Sequence, residues 1–188
     1  VYWQELHTET IAAYQQGLEV LQQQGFQLQA IVLDGRPGVR ELFAGIPVQM
    51  CHFHQKAIIN RYLTRHPKLE AGKELRSIAM TLRQTNEKNF SDALQHWHEQ
   101  WQYFLKERTI NPETRRWHYT HKRLRAAYRS LKNNLLFLFT YQRYPALNIP
   151  NTTNSLDGSF AHLKELVKLH RGLKGDLKRK IIIQFLQK

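Results

Sequence analysis

A mixed α/β class, mostly helical by length, is what this chain predicts, and two features of it carry the expectation. Behind an early helical period stand two short apolar runs, Leu28 to Leu33 and Pro47 to Met50, each bounded by turn residues. Such runs read as buried strands. From Lys56 to about Tyr144 the apolar spacing then changes to long helical periods. Two strands alone make a poor sheet, so further strands are expected upstream of the segment given.

The elements follow in order. Leu6, Ile11, Tyr14, Leu18 and Leu21 recur near helical spacing, and Gly25 suits a left-handed cap. Gly35-Arg36-Pro37-Gly38 reads as the turn after the first strand. The second strand leads directly into Cys51-His52-Phe53-His54. Pro67 separates a short helix from one over about Lys68 to Gln84, with Leu69, Leu75, Ile78 and Leu82 on one face. A helix over about Glu87 to Arg108 stacks Phe90, Leu94, Trp97, Trp101 and Phe104, an aromatic stripe better read as core than as a platform for bases. After Asn111-Pro112 a further helix places Leu124, Tyr128, Leu131, Leu135 and Leu138 on one side. A helix from about Ser155 to His170, with Leu156, Phe160, Leu163 and Val167 as its buried stripe, a break at Gly172 to Gly175 and a final amphipathic helix complete the chain. The expected division is 1–55, a partial α/β core; 56–150, a helical insertion; and 151–188, a last core helix and the terminal helix.

Charge narrows the partner. The chain has 28 Lys and Arg against 15 Asp and Glu, a formal net charge of +13. Residues 1–55 carry two basic and five acidic side chains (net −3), residues 56–150 carry 18 and seven (+11), and residues 151–188 carry eight and three (+5). A basic excess on the middle and tail is the electrostatic footprint of a phosphate binder. Lys122, Arg125, Arg129 and Lys132 form a stripe opposite the leucines of their helix, readable as a phosphate track or as a solvated face. Trp117, within Arg115-Arg116-Trp117-His118-Tyr119, is the aromatic best placed for a nucleic-acid contact. A single cysteine excludes an internal disulfide and suits a reducing cytoplasm. With no run of about 18 apolar residues, no membrane span is expected. The start at Val1, without an initiator Met or a signal pattern, is expected of a fragment.

Two carboxylates stand out. Asp34 follows a strand in Ile31-Val32-Leu33-Asp34-Gly35, and Asp157 sits in the first turn of a helix in Thr152-Thr153-Asn154-Ser155-Leu156-Asp157-Gly158. Their plain readings are a turn residue and an acid suited to a helix dipole. Their sharper reading is a shared divalent-metal site for phosphodiester chemistry. Lys164, Lys168 and Arg171 project from the face neighbouring Asp157, as a site beside a DNA groove would require. Cys51 and His54 have metal-ligand chemistry, but without a second pair they read as site-shaping groups rather than as zinc ligands.

Taken together, Leu33-Asp34-Gly35, Cys51-x-x-His54, a long helical insertion, Thr153-Asn154-Ser155-Leu156-Asp157-Gly158-Ser159-Phe160 and His170-Arg171-Gly172-Leu173 resemble bacterial insertion-sequence transposases of the mutator-like DDE group. The resemblance covers essentially the whole chain. It implies a ribonuclease-H-like core, its first strands missing here, interrupted by a large helical insertion. It implies an Asp, Asp, Glu triad holding two Mg²⁺ (or Mn²⁺) ions, and cleavage and strand transfer of double-stranded DNA, at transposon ends and target. Asp34 matches the second triad member, and Asp157 falls where the family has Glu. Residues 1–30 hold no Asp to match the first member. The chain by itself is therefore expected to bind DNA without cutting or joining it. A bacterial cytoplasmic, nucleoid-associated location follows from the resemblance, and a homo-oligomer of the intact protein stays open. The alternatives are a degenerate, inactive DNA-binding relic and a helical protein-interaction module.

Overall fold

The computed structural model describes residues 4, 6–36, 38–169, 172 and 175–186, without the side chains of residues 154–157, 159, 166 and 169. The chain divides into two compact units, residues 29–152 and residues 1–28 with 153–188. The larger unit thus begins at the first strand and runs through the expected insertion. No helix is long and apolar enough to cross a membrane among the described residues.

In the larger unit, β1 (Ile31–Leu33) and β2 (Val48–Met50) pair in parallel, with Ile31 opposite Val48 and Leu33 opposite Met50. The strand at 28–33 is shorter than its apolar run, beginning only at Ile31. Three-residue strands have little stability of their own. This pair is held from outside: the Thr140 hydroxyl donates to the Val48 carbonyl at 2.6 Å, and the buried Gln49 side chain donates to the Leu138 carbonyl at 2.9 Å. Gln49 also accepts from the Tyr141 N–H at 3.0 Å.

Helices α2 (His52–Leu63), α3 (Glu70–Met80), α4 (Glu87–Lys106) and α5 (Lys122–Leu138) build the core, with α5 lying along α2 and also touching α3 and α4. Met50, Ile59, Leu75, Leu82, Phe90, Trp97, Leu131, Leu138 and Phe139 are fully buried among them. The aromatic stripe of α4 is core, as its spacing predicts. Trp97 Nε1 donates to the Ala71 carbonyl at 2.9 Å and Trp101 Nε1 to the Glu74 carboxylate at 2.7 Å, so both indoles keep a partner on burial. Asn86 caps α4, its Oδ1 accepting from the Asn89 N–H at 2.8 Å. Leu69 departs from expectation: it precedes α3 and is 48% exposed.

Between α4 and α5 the chain forms an antiparallel hairpin, β3 (Arg108–Ile110) and β4 (Trp117–Tyr119). The sequence predicts a helix running to about Arg108 and no strands here. Each strand is only three residues long, too short for the alternation of Trp117 and Tyr119 to establish a strand period. Asn111 organises the turn instead of merely ending a helix: its Oδ1 accepts from the Glu113 and Thr114 N–H groups at 2.9 and 3.0 Å. After α5, a short helix α6 (Thr140–Arg143) closes the unit over β2.

The second unit holds α1 (Ile11–Gln23), α7 (Asn154–Leu169) and α8 (Gly175–Leu186). Thr10 caps α1, its hydroxyl accepting from the Ala13 N–H at 3.2 Å, so Leu6 lies before the helix rather than on it. At the other end Gly25 adopts φ +83°, and the Phe26 and Gly25 N–H groups bond the Leu21 and Gln22 carbonyls at 3.0 and 2.9 Å. That is the Schellman closure for which glycine is suited. Helices α7 and α8 pack together, with the His162 and Phe185 rings 5.9 Å apart. Leu163 is buried, but Phe160, expected in the same stripe, is 41% exposed.

Candidate functional site

The carboxyl ends of β1 and β2 bring Asp34 and Cys51 to the same edge of the fold. The ladder continues one step past the strands, the Cys51 N–H donating to the Leu33 carbonyl at 2.8 Å, so the residues following Leu33 and Met50 leave the sheet side by side. Asp34 is exposed, and its Oδ1 accepts from the Arg36 N–H at 3.1 Å, a local turn that fixes the carboxylate at the strand end. Gly35 makes that exit feasible in two ways. Its φ is +90°, and an added Cβ would sit 2.7 Å from Met50 Cε and 2.8 Å from Sδ. Met50 is wholly buried, so it has little room to yield.

Cys51 is the N-cap residue of α2 and is buried. His54 lies in the first turn, its ring 5.4 Å from that of the exposed Phe53, and its Nδ1 is buried with no hydrogen-bond partner. The two residues that the sequence pairs by spacing therefore flank a helix start beside Asp34. Among the described residues no group of three or more His, Cys, Asp or Glu could hold a metal ion. The backbone of Asp157 belongs to α7, but its side chain and all of Arg171 lie outside the described residues.

His52, to which spacing alone assigns no role, is the histidine anchored into the core. It is fully buried, and Nε2 donates to the Leu138 carbonyl at 2.6 Å, leaving Nδ1 buried and unpartnered. Burial holds its pKa below the ordinary histidine value, the charges of Lys56 and Arg83 push the same way, and the bond to Leu138 opposes them. The His52 N–H also donates to the Asn151 carbonyl at 2.9 Å. Nearby, Gln55 donates to Ser130 Oγ at 3.1 Å and accepts from Asn134 Nδ2 at 2.7 Å, and Asn134 Oδ1 in turn accepts from Arg40 at 2.9 Å. This polar seam ties α2 to α5 across the apolar core. An isolated Gln within a helical period reads as a surface residue, so no pattern in the sequence exposes the seam.

The basic residues separate into two kinds. Lys122, Arg129 and Lys132 on α5 and Lys164 and Lys168 on α7 are exposed. Arg125 is turned inward: Nη1 donates to the Leu105 carbonyl at 2.7 Å, the guanidinium lies 3.5 Å over the Tyr119 ring, and Nε is buried without a partner. Trp117 is 53% exposed on the hairpin, with the Arg108 guanidinium 4.0 Å above it. Tyr119 meets the edge of Trp117 at 5.5 Å, so Arg108, Trp117, Tyr119 and Arg125 form one cation–aromatic cluster between the hairpin and α5. Comparison of the chain with protein-family models, with curated proteins and with solved structures gave no match.

Proposed function

We propose that the chain is part of a DDE-type transposase of the mutator-like group, built on a ribonuclease-H-like core, and that it engages double-stranded DNA through its basic surface. The observation that carries this reading is the parallel exit of β1 and β2. It puts Asp34, an exposed carboxylate, at the end of a partly buried strand beside Cys51 and the first turn of α2. The Asn151 carbonyl is bonded to that same turn.

Asp34 fits one role in a hard-cation site: an oxygen donor, accessible to solvent, held by a single backbone N–H. Asp34 and Asp157, with a carboxylate from another segment of the intact protein, would hold two Mg²⁺ or Mn²⁺ ions. When bound, such ions supply Lewis acidity at the scissile phosphate and lower the pKa of the attacking water. The chain's own contribution is to set Asp34 by the Arg36 N–H, to keep Cys51 and His52 packed beneath the site, and to offer cations to the DNA backbone. A second reading, a DNA-binding relic without chemistry, is favoured by Asp at 157 where the resemblance has Glu.

Two measurements on the 188-residue chain test these readings. Duplex DNA binding should weaken linearly in log affinity against log salt; salt-independent or absent binding removes the DNA reading. Mn²⁺ binding should be lost in Asp34→Asn with the fold intact. Equal Mn²⁺ affinity in parent and variant removes Asp34 from a metal site and leaves the relic.

A further inference from the structure

Away from Asp34, the link from α2 to α3 and the link from β4 to α5 enclose an open cleft of about 560 Å³. Its volume lies within the range of roughly 300–1,000 Å³ typical of ligand sites. Leu63, Pro67, Leu69 and Leu124 supply an apolar floor. Lys68, Lys122 and Arg123 rim it, all exposed, together with His66, and among the described residues the lining contains no carboxylate. Glu70, next to Leu69 in the chain, pairs with Lys73 at 2.9 Å, and Glu107 bonds His121 of the lining at 2.9 Å. The walls are joined by the Arg123 guanidinium, which donates to the Arg61 carbonyl at 2.6 Å. The backbone at Thr64 is unusual too, a β-branched residue at φ +65°.

We propose that this cleft grips the phosphodiester backbone of duplex DNA, Lys68 and Lys122 each contacting a phosphate while Leu69 and Pro67 lie against deoxyribose. The proposal rests on the duplex-binding reading above and adds to it a place and residues. Cations from segments more than 50 positions apart converge here without local neutralisation, in a chain whose net charge is +13. Unpaired cations on a rim are what release counterions when a polyanion docks. The same floor accounts for Leu69, an apolar side chain just before α3 that is 48% exposed. It also redirects the phosphate path. Lys122 belongs both to the α5 stripe and to this cleft, and Arg125, one turn further along α5, is turned inward instead.

Salt titrations of duplex binding compare the parent with Lys68→Gln/Lys122→Gln, and acetylation of Lys68 in the unaltered protein is followed with and without duplex. The double variant should lower the slope of log affinity against log salt by about 1.8, two contacts at about 0.9 each. Lys68 should be protected by duplex and left reactive by polyglutamate. An unchanged slope beside intact parental binding, or Lys68 acetylated equally with and without duplex, overturns the cleft while the duplex reading stands. Protection by polyglutamate but not by duplex overturns it in favour of an acidic protein partner. A parent without salt-dependent duplex binding overturns both. The acetylation measurement needs no variant, so misfolding of the double variant does not blunt the test.

Discussion

Replacing Arg125 by Gln separates a structural cation from one proposed to contact DNA on the same helix. Arg125 and Arg129 stand one turn apart on α5 and look equivalent in the sequence. In the structure Arg125 Nη1 donates to the carbonyl of Leu105, a residue only 3% exposed, and the guanidinium covers Tyr119 at 3.5 Å. A hydrogen bond to a charged donor contributes about 1.5–3 kcal/mol, and a cation–aromatic contact about 1 kcal/mol. Against these stands Nε, buried without a partner, whose desolvation costs about 1–3 kcal/mol. The balance favours the native arginine by about 2 kcal/mol, because the variant also leaves the Leu105 carbonyl without its donor. In a chain of this length, a loss of that size lowers the melting temperature by about 4–8 °C. Arg125→Gln is therefore expected to shift urea and thermal unfolding while the salt slope of duplex binding, measured below the transition, stays at the parental value. Arg129→Gln should do the reverse, changing stability by less than about 0.5 kcal/mol and lowering the slope by about 0.9. An Arg125→Gln protein as stable as the parent but with a reduced slope would refute the reasoning, placing the guanidinium on DNA instead of on Leu105 and Tyr119.

Two further outcomes follow from the strand exit and its support. Gly35→Ala should destabilise the larger unit by about 2–4 kcal/mol, combining a positive φ with overlap on Met50, and a normal urea midpoint for that variant would mean the exit is relaxed. The His52 pKa lies below its ordinary 6.5 in the folded chain, so the unfolded chain takes up the proton first as pH falls. The stability this group contributes is present above pH 6.5 and is lost as pH falls from there through the folded value. Urea midpoints compared at pH 7.5 and at pH values below 6.5 should drop less in His52→Gln than in the parent, and equal drops would assign the pH dependence to other groups.

Much of the helical scaffold was legible because its signals are local and repeated. Phe90, Leu94 and Trp97 recur at helical steps over a 20-residue helix, and such a period survives any single exception. Gly25 announced its cap, since a left-handed residue at a helix end is a demand of backbone sterics alone. The short elements were less legible. The strand at 31–33 is half the apolar run that suggested it, and the hairpin strands at 108–110 and 117–119 are too short for the alternation of Trp117 and Tyr119 to register as a strand, being held by an Asn turn and by arginines stacked on aromatic rings. Leu69 and Phe160 fitted a helical face by spacing, yet one precedes its helix and both are exposed.

Of the candidate site, the sequence by itself determined Asp34 as a carboxylate following a strand, and Cys51 and His54 as neighbours in the next element. Those assignments depend only on alternation, turn chemistry and spacing along a continuous backbone. The tertiary structure alone decided that the two strands exit in parallel so that Asp34 and Cys51 share an edge, that His52 is the histidine driven into the core, and that Arg125 is a clamp while Arg129 stays in solvent. It alone joined Lys68 to Lys122 around one cleft. Each of these depends on partners dozens of positions away, such as Leu138 for His52, 86 residues on, and Leu105 for Arg125, 20 residues back. Side-chain roles of that kind are set by which buried carbonyl or ring lies within hydrogen-bonding or stacking reach, and one-dimensional periodicity holds no record of it.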